Sequence, residues 1–396
     1  MKQKLRRSRR SVFGKRRTHP ALKAMLWIFV CVAVVAAGFF GAKWITEGPS
    51  VQDTSVGDSA TPKTPNTPDK GGNTDDKPVE PDDSTPPADT PTFTESIRAF
   101  YLPASALSVD TLIETSTLQD AAKAGFNAVI FDLKDADGTL FYEFADARAK
   151  KTGAYAPNAL TATNLKALFD VMQENGLQPI PRLYAFCDDP AAKVLTDARI
   201  GLESNPSWAW YDGDPNNGGK KWLNPYAPAA QEYIGALAEE LKAQGATAIM
   251  LDGVQFPAQL SSAYLGEEAA TVSKADILTA FVTTIRTRLG DDCPVMLSCT
   301  EKGALATDTK IYGGNPLTFG SAMAAPQLTS KVKESVEAML LRIQVLKEKP
   351  DLVPMLMMKD ATAKECSDAM TACVQGGAES FILVSEDYHF DSYTLP

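Results

Sequence analysis

Histidine is almost missing from this chain: its 396 residues include two, His19 and His389. A zinc site built on imidazoles is therefore close to excluded. A Ser-His-Asp triad would have to use His389, and no G-x-S-x-G turn is present to offer the serine. No glycine-rich phosphate loop follows any strand-like run, which weakens a doubly wound nucleotide-binding sheet as the architecture. Cysteine is scarce as well. Of six cysteines, Cys31 lies in a long apolar run, and the other five are an odd number without histidine partners. They read as small buried hydrophobes rather than a disulfide framework. Cys366 and Cys373, seven residues apart on one helix, would stand about 10 Å apart, too far to bridge. The stretch "DLKDADGTLFYE" (132–143) has the look of a calcium loop, but Leu133 and Phe144 would fall at its first and last ligand positions. No metal and no cofactor are expected. Chemistry must run mainly on carboxylates, lysine and tyrosine.

Charge is unevenly spread. The chain carries 39 basic and 49 acidic residues, a net of −10, yet residues 1–23 hold ten Lys/Arg and no acid. The remainder, with 29 bases against 49 acids, is strongly acidic and a poor match for nucleic acid. The nineteen residues 24–42, "AMLWIFVCVAVVAAGFFGA", contain no charge and end near Trp27 and Trp44. As a helix they reach roughly 28 Å, close to a bilayer core. The basic tail (1–23) on their N-terminal side sets the orientation: N-terminus in the cytoplasm, a single-pass anchor over 24–44, and the bulk of the protein outside the cell membrane. A cleaved signal peptide is the alternative, disfavoured by the long basic region and long apolar run. Residues 45–94 are rich in Pro, Thr and Asp, with nine prolines between Thr46 and Phe93, and have too little apolar content to form a core. They read as a disordered, extended stalk.

From residue 95 to 396 short apolar runs alternate with amphipathic stretches. The runs are 98–102, 127–133, 179–186, 247–252, 294–298, 320–326, 352–358 and 380–385. Helical patterns fill 164–175, 227–243, 274–289, 330–349 and 362–374, whereas residues 300–326 show none. Near-continuous apolar strands alternating with helices indicate a parallel sheet. Eight of them over about 300 residues fit an α/β (β/α)8 TIM barrel, whose working end is the rim at the strand C-termini.

The residues at that rim are informative. Tyr101 follows the first strand, and Asp132 and Lys134 close the second. Arg182, Tyr184 and Phe186 lie at the end of the third, followed by Asp188 and Asp189. Asp252 and Gln255 follow the fourth strand, Glu301 the fifth, Asp360 the seventh and Glu386 the eighth. Carboxylates and aromatics converging on one rim are the chemistry of sugar binding and glycoside cleavage. Trp208 and Trp222 lie in a long insertion, "NPSWAWYDGDPNNGGKKWLNPYAP", either as a substrate platform or as pins holding the loop. Asp252, at the tip of "AIMLDGVQFP", would be desolvated and costly unless used or paired. Asp188 and Asp189 precede Pro190 and read equally well as helix caps.

"FDLKDADG", "PRLYAFCDDP", "WLNPYAP" and "IMLDGVQFP" in this order resemble a family of glycoside hydrolase barrels in bacterial envelope proteins, DUF4015-like and distantly similar to α-amylase-type barrels. Asp132, Lys134, Asp135 and Gly138 match its second-strand pattern. Arg182, Phe186, Asp189 and Pro190 match its third. Trp222, Pro225 and Tyr226 match the pattern before the next helix, and Asp252, Phe256 and Pro257 the fourth-strand pattern. The resemblance implies a glycosidase with Asp252 as nucleophile, Glu301 as acid/base and Asp132 or Asp360 as accessory carboxylate, acting on a polysaccharide or cell-wall glycan. Gly253 and Gln255 depart from the family's Tyr and Arg, and Thr300 stands where it tends to carry an aspartate. Should Glu301 not reach the site, the same barrel reads as a carbohydrate-binding protein without turnover. A metal-dependent nuclease is a third reading, opposed by the acidity and the missing histidines.

Overall fold

A computed structural model describes residues 95–107 and 116–396. The tail, anchor and stalk expected over 1–94 lie outside the described residues. Among the described residues no helix is long and apolar enough to cross a membrane.

Eight parallel strands close into a barrel: β1 (Arg98–Leu102), β2 (Ala128–Lys134), β3 (Gln178–Tyr184), β4 (Ile249–Asp252), β5 (Val295–Thr300), β6 (Met323–Leu328), β7 (Met355–Met357) and β8 (Phe381–Val384). Each pairs with the next, and β8 returns to β1 through Arg98↔Phe381. Among the described residues, six helices of eight residues or more cover the outside: α1 (Thr117–Ala124), α2 (Ala162–Glu174), α3 (Pro228–Ala243), α4 (Lys274–Leu289), α5 (Val332–Gln344) and α6 (Ala363–Gln375). Local sequence explains their ends. Thr161, Ser273 and Thr362 cap the N-termini of α2, α4 and α6 with side-chain oxygens, the last in a reciprocal capping box with Glu365.

The stretch without helical pattern after β5 contains only the short helix Glu301–Ala304 and a turn at Pro316–Thr318 before β6. After β8 a turn at Phe390–Ser392 stands where a helix would close the outer layer. Its Phe390 ring packs edge-on against Phe100 at 4.7 Å and Phe126 at 5.5 Å.

Strand alternation divides the apolar residues into two cores. Phe131, Leu133, Leu183, Leu251, Leu297 and Leu383 face the helices. Ala99, Ile130, Ile180, Met250, Met296, Met323, Met355 and Ile382 fill the interior of the ring. All five described cysteines are free thiols, four of them buried, as small hydrophobes are.

The loops leaving the C-terminal ends of β3 and β4 carry an antiparallel sheet that the hydrophobic pattern does not reveal, made of Gly201–Leu202, Asn205–Ala209 and Ala263–Tyr264. Its strands are too short, and too exposed on one side, to show a period.

Candidate active site

The inward alternation reaches the rim as a polar layer. Above the apolar filling come Tyr101 from β1, Asp132 from β2, Arg182 and Tyr184 from β3, Asp252 from β4, Ser298 from β5 and Gln327 from β6. On the other side of the mouth β7 and β8 contribute Met357 and Val384. The mouth is therefore polar over six strands and apolar over two.

Arg182 is the centre of the polar part. Its Nε donates to Asp132 Oδ1 at 2.5 Å and its Nη2 to Asp132 Oδ2 at 3.0 Å, a fork on one carboxylate. Its Nη1 reaches Asp252 Oδ2 at 3.4 Å. The guanidinium lies over the rings of Tyr101 and Tyr184, at 4.9 and 5.1 Å from their centroids. Register dictates this: Asp132 stands opposite Arg182, and Tyr184 opposite Asp252, in the strand pairing. Burial alone would lower the basicity of Arg182, but Asp132 and then Asp252 outweigh it and hold the guanidinium charged. Burial, followed by the charge of Asp132, pushes the Tyr101 phenol up; burial, followed by Asp252, does the same for Tyr184. Both remain neutral hydrogen-bond donors, and Tyr101 Oη donates to Asp132 Oδ2 at 2.8 Å.

The two carboxylates differ in freedom. Both oxygens of Asp132 are taken by short bonds. Asp252 Oδ1 accepts the Gly253 N–H at 2.7 Å, its Oδ2 takes two long contacts, Arg182 Nη1 and the Gln327 amide, each 3.4 Å, and the Tyr184 phenol also hydrogen-bonds this carboxylate. Gln327 also donates to Ser298 Oγ at 3.0 Å. Asp252 is thus the more loosely held carboxylate, and Asp132 serves to hold Arg182. Gly253 adopts φ +61°, and a Cβ there would sit 3.2 Å from the Tyr184 ring. The short backbone at this position lets Tyr184 lie beside the aspartate.

Several residues expected at the site lie elsewhere. Lys134 is fully buried, donates to the Tyr184 carbonyl at 2.5 Å and pairs with Asp188 at 2.9 Å. A bulge explains the correction. The register steps from Asp132↔Arg182 to Lys134↔Leu183, so Leu133 is an extra residue and Lys134 joins the outward row. Asp188 caps the helix Asp189–Val194 through the Ala191 N–H at 2.8 Å, as its place before Pro190 allowed. Phe186 is wholly buried against Phe281, with ring centroids 4.9 Å apart, and cannot meet a substrate. Glu301 begins the helix after β5 and accepts from Ser335 Oγ on α5 at 2.5 Å. It points into the helical layer, not to Asp252, because the chain turns helical one residue too early. Trp222 is buried and its indole donates to Asp212 at 2.9 Å, pinning the insertion rather than forming a platform. Trp208 is 63% exposed on the small sheet. Gln255 is half-buried, Asp360 is exposed on the β7 loop with φ +62°, and Glu386 pairs on the surface with Lys359 at 3.1 Å. Among the described residues no group of three or more His, Cys, Asp or Glu side chains is placed to hold a metal ion.

Ser298 and Gln327 were not singled out from the sequence. The signal was two-residue spacing: Gln327 continues the inward row of Met323 and Ala325, hidden because Pro326 looked like a strand end.

A family model described as "Putative glycosyl hydrolase domain" (DUF4015) matches residues 99–311, more than half of the chain. The chain belongs to this family. The match runs from β1 to the loop after β5 and includes Asp132, Arg182 and Asp252. Among solved structures, the tandem GH20 catalytic modules of the pneumococcal exo-β-D-N-acetylglucosaminidase StrH align with TM-score 0.50 and 9% identity, over 76% of this chain and 82% of theirs. At that identity the likeness shows the barrel fold alone. A GH20 exo-β-N-acetylglucosaminidase from Vibrio harveyi aligns with TM-score 0.46 and 11% identity, over 74% of this chain and 50% of its own. A hypothetical protein from Ruminiclostridium thermocellum aligns with TM-score 0.42 and 23% identity, over 50% of this chain and 96% of its own. No curated protein matches. The domain is a glycoside hydrolase-like barrel.

Proposed function

We propose that this barrel hydrolyses glycosidic bonds of a polysaccharide or cell-wall glycan, with Asp252 as the carboxylate at the anomeric carbon. The loosely held Oδ2 of Asp252, at the rim of a family barrel and beside a charged arginine stacked on two tyrosines, carries this reading. Asp132 is a positioning residue that orients Arg182. Tyr101 and Tyr184 present ring edges, and phenol oxygens that can accept from sugar hydroxyls while their own protons stay on Asp132 and Asp252. In the reaction the bond from anomeric carbon to glycosidic oxygen breaks, water oxygen ends on that carbon, and the leaving oxygen gains a proton. Asp252 either attacks the carbon itself or takes the proton of the attacking water. With Glu301 turned to Ser335, the carboxylate to be tested as proton donor is Asp360, exposed on the loop after β7. The span at 24–42 and its flanking charges support a setting in which the barrel hangs outside the cell membrane on the 45–94 stalk; protease shaving of intact cells that spares the barrel would refute this setting.

The test is a glycan panel assayed with wild type, Asp252→Asn and Asp360→Asn. Loss of an active carboxylate should lower turnover about 10²–10⁴-fold. Equal turnover in wild type and Asp252→Asn removes the assignment. The diversion of Glu301 favours a second reading, glycan binding without turnover; it is chosen if the wild type binds a glycan that it does not cleave.

A further inference from the structure

The loops from β3 and β4 enclose a surface cavity of about 370 Å³, lined by Asp197, Arg199, Tyr264, Glu267 and Glu268 among others. Arg199 is held in place: its Nη2 donates to the Ser207 carbonyl at 2.6 Å, and its backbone bridges to Leu223. Its Nε is buried and has no hydrogen-bond partner. Arg199 is half-buried at this cavity, and with Nη2 committed to the loop backbone the guanidinium offers the cavity a fixed positive edge. A second observation is independent of it. Two large aromatic side chains of the small sheet are exposed, Trp208 at 63% and Tyr264 at 36%, and Tyr264 lines this cavity. An aromatic ring beside a fixed guanidinium and carboxylates is the combination that holds a sugar: the ring takes the C–H face, the charged groups take the hydroxyls.

We infer that this cavity is an accessory glycan-binding site, separate from the Asp252 centre, for a sugar segment that carries no anionic group. The Arg199 guanidinium donates to a hydroxyl or ring oxygen, Asp197 and Glu267 accept from hydroxyls, and Tyr264 stacks on the ring. Three carboxylates against one guanidinium turn away uronic acids and sulfated sugars. Because both loops leave the C-terminal ends of their strands, the cavity lies on the side of the barrel where the mouth opens. A chain bound there is presented to the mouth. The inference rests on the proposed function only for the class of ligand, and binding is read without turnover.

The experiment is affinity gel electrophoresis of the full chain through hydroxyethylcellulose, glycol chitin and pullulan, with alginate as the anionic control. Wild type and Asp252→Asn should be retarded alike by at least one neutral glycan and not by alginate. Tyr264→Ala and Arg199→Lys should each weaken that retardation about fivefold or more. Tyr264→Ala alters an exposed side chain, so the fold is kept, and thermal melting checks this for Arg199→Lys. Unchanged retardation in Tyr264→Ala, retardation by alginate alone, or none with any neutral glycan overturns the site. Retardation lost only in Asp252→Asn places binding at the mouth and overturns it too. Absent hydrolysis with retardation intact overturns the hydrolase reading and leaves this site standing.

Discussion

Replacing Lys134 by methionine separates a lysine that builds the barrel from one that works in it. The side chain is fully buried with Asp188, itself 1% exposed. Lys134→Met fills the volume but leaves a buried carboxylate facing a thioether. Removing one member of a buried pair costs about 3–5 kcal/mol. At roughly 2–4 °C per kcal/mol for a domain near this size, the melting temperature should fall by about 6–20 °C. The pH dependence has a definite sign. Burial, opposed by Lys134, already raises the Asp188 carboxyl above its ordinary value, and losing the lysine raises it further. An acid whose folded value lies above its unfolded one binds more protons in the folded state, so its stability contribution falls as pH rises. The gap between wild type and variant should therefore be wider at pH 8 than at pH 5. Lys134→Met combined with Asp188→Asn removes the stranded charge, keeps an acceptor for the Ala191 N–H, and should recover most of the loss. Calorimetry of the four proteins at both pH values completes the cycle. A Lys134→Met protein that melts within 2 °C of wild type, yet loses glycan turnover or binding, would refute the structural role.

Glu301→Gln should leave turnover within about twofold and cost about 1 kcal/mol or less in urea unfolding, since its partner is Ser335 and an amide can still accept; a hundredfold drop in turnover would return Glu301 to the site. Gly253→Ala places a Cβ in the left-handed region and 3.2 Å from the Tyr184 ring. It should cost about 1–2 kcal/mol by denaturant midpoint, and unchanged stability would contradict the described backbone.

The sequence revealed the barrel well because parallel strands buried on both faces leave long apolar runs that mark their own ends. Asp132 and Asp252 could be placed at the mouth for that reason: each closes such a run. The same double burial hides which residues point inward, since both rows are apolar. Lys134 shows the limit. It shares parity with Asp132 in the sequence, and only a bulge fixed by pairing with β3 sends it outward. Glu301 fails differently. Thr300 caps a helix through the Gly303 N–H at 3.1 Å, a local choice that overrides the strand-end position its neighbour was expected to hold. Gln327 escaped notice because an alanine-rich strand with a proline has a weak signal, yet it touches Asp252. Trp208 and Trp222, similar in sequence, take opposite roles because one indole finds Asp212 and the other finds none.

The filling beneath the polar layer has its own consequence. Met250, Met296, Met323 and Met355 occupy one part of it, beside alanines and the β-branched Ile130, Ile180 and Ile382. Unbranched thioethers are soft and polarizable and can change rotamer where a β-branched plug would resist. The methionine side of the floor, under Asp252, Ser298 and Gln327, can yield as loops above it move, so new specificities could be grafted onto those loops without redesigning the staves. The same sulfurs would become bulky polar sulfoxides if an oxidant entered, making closure of the ring a chemical safeguard as well as a scaffold.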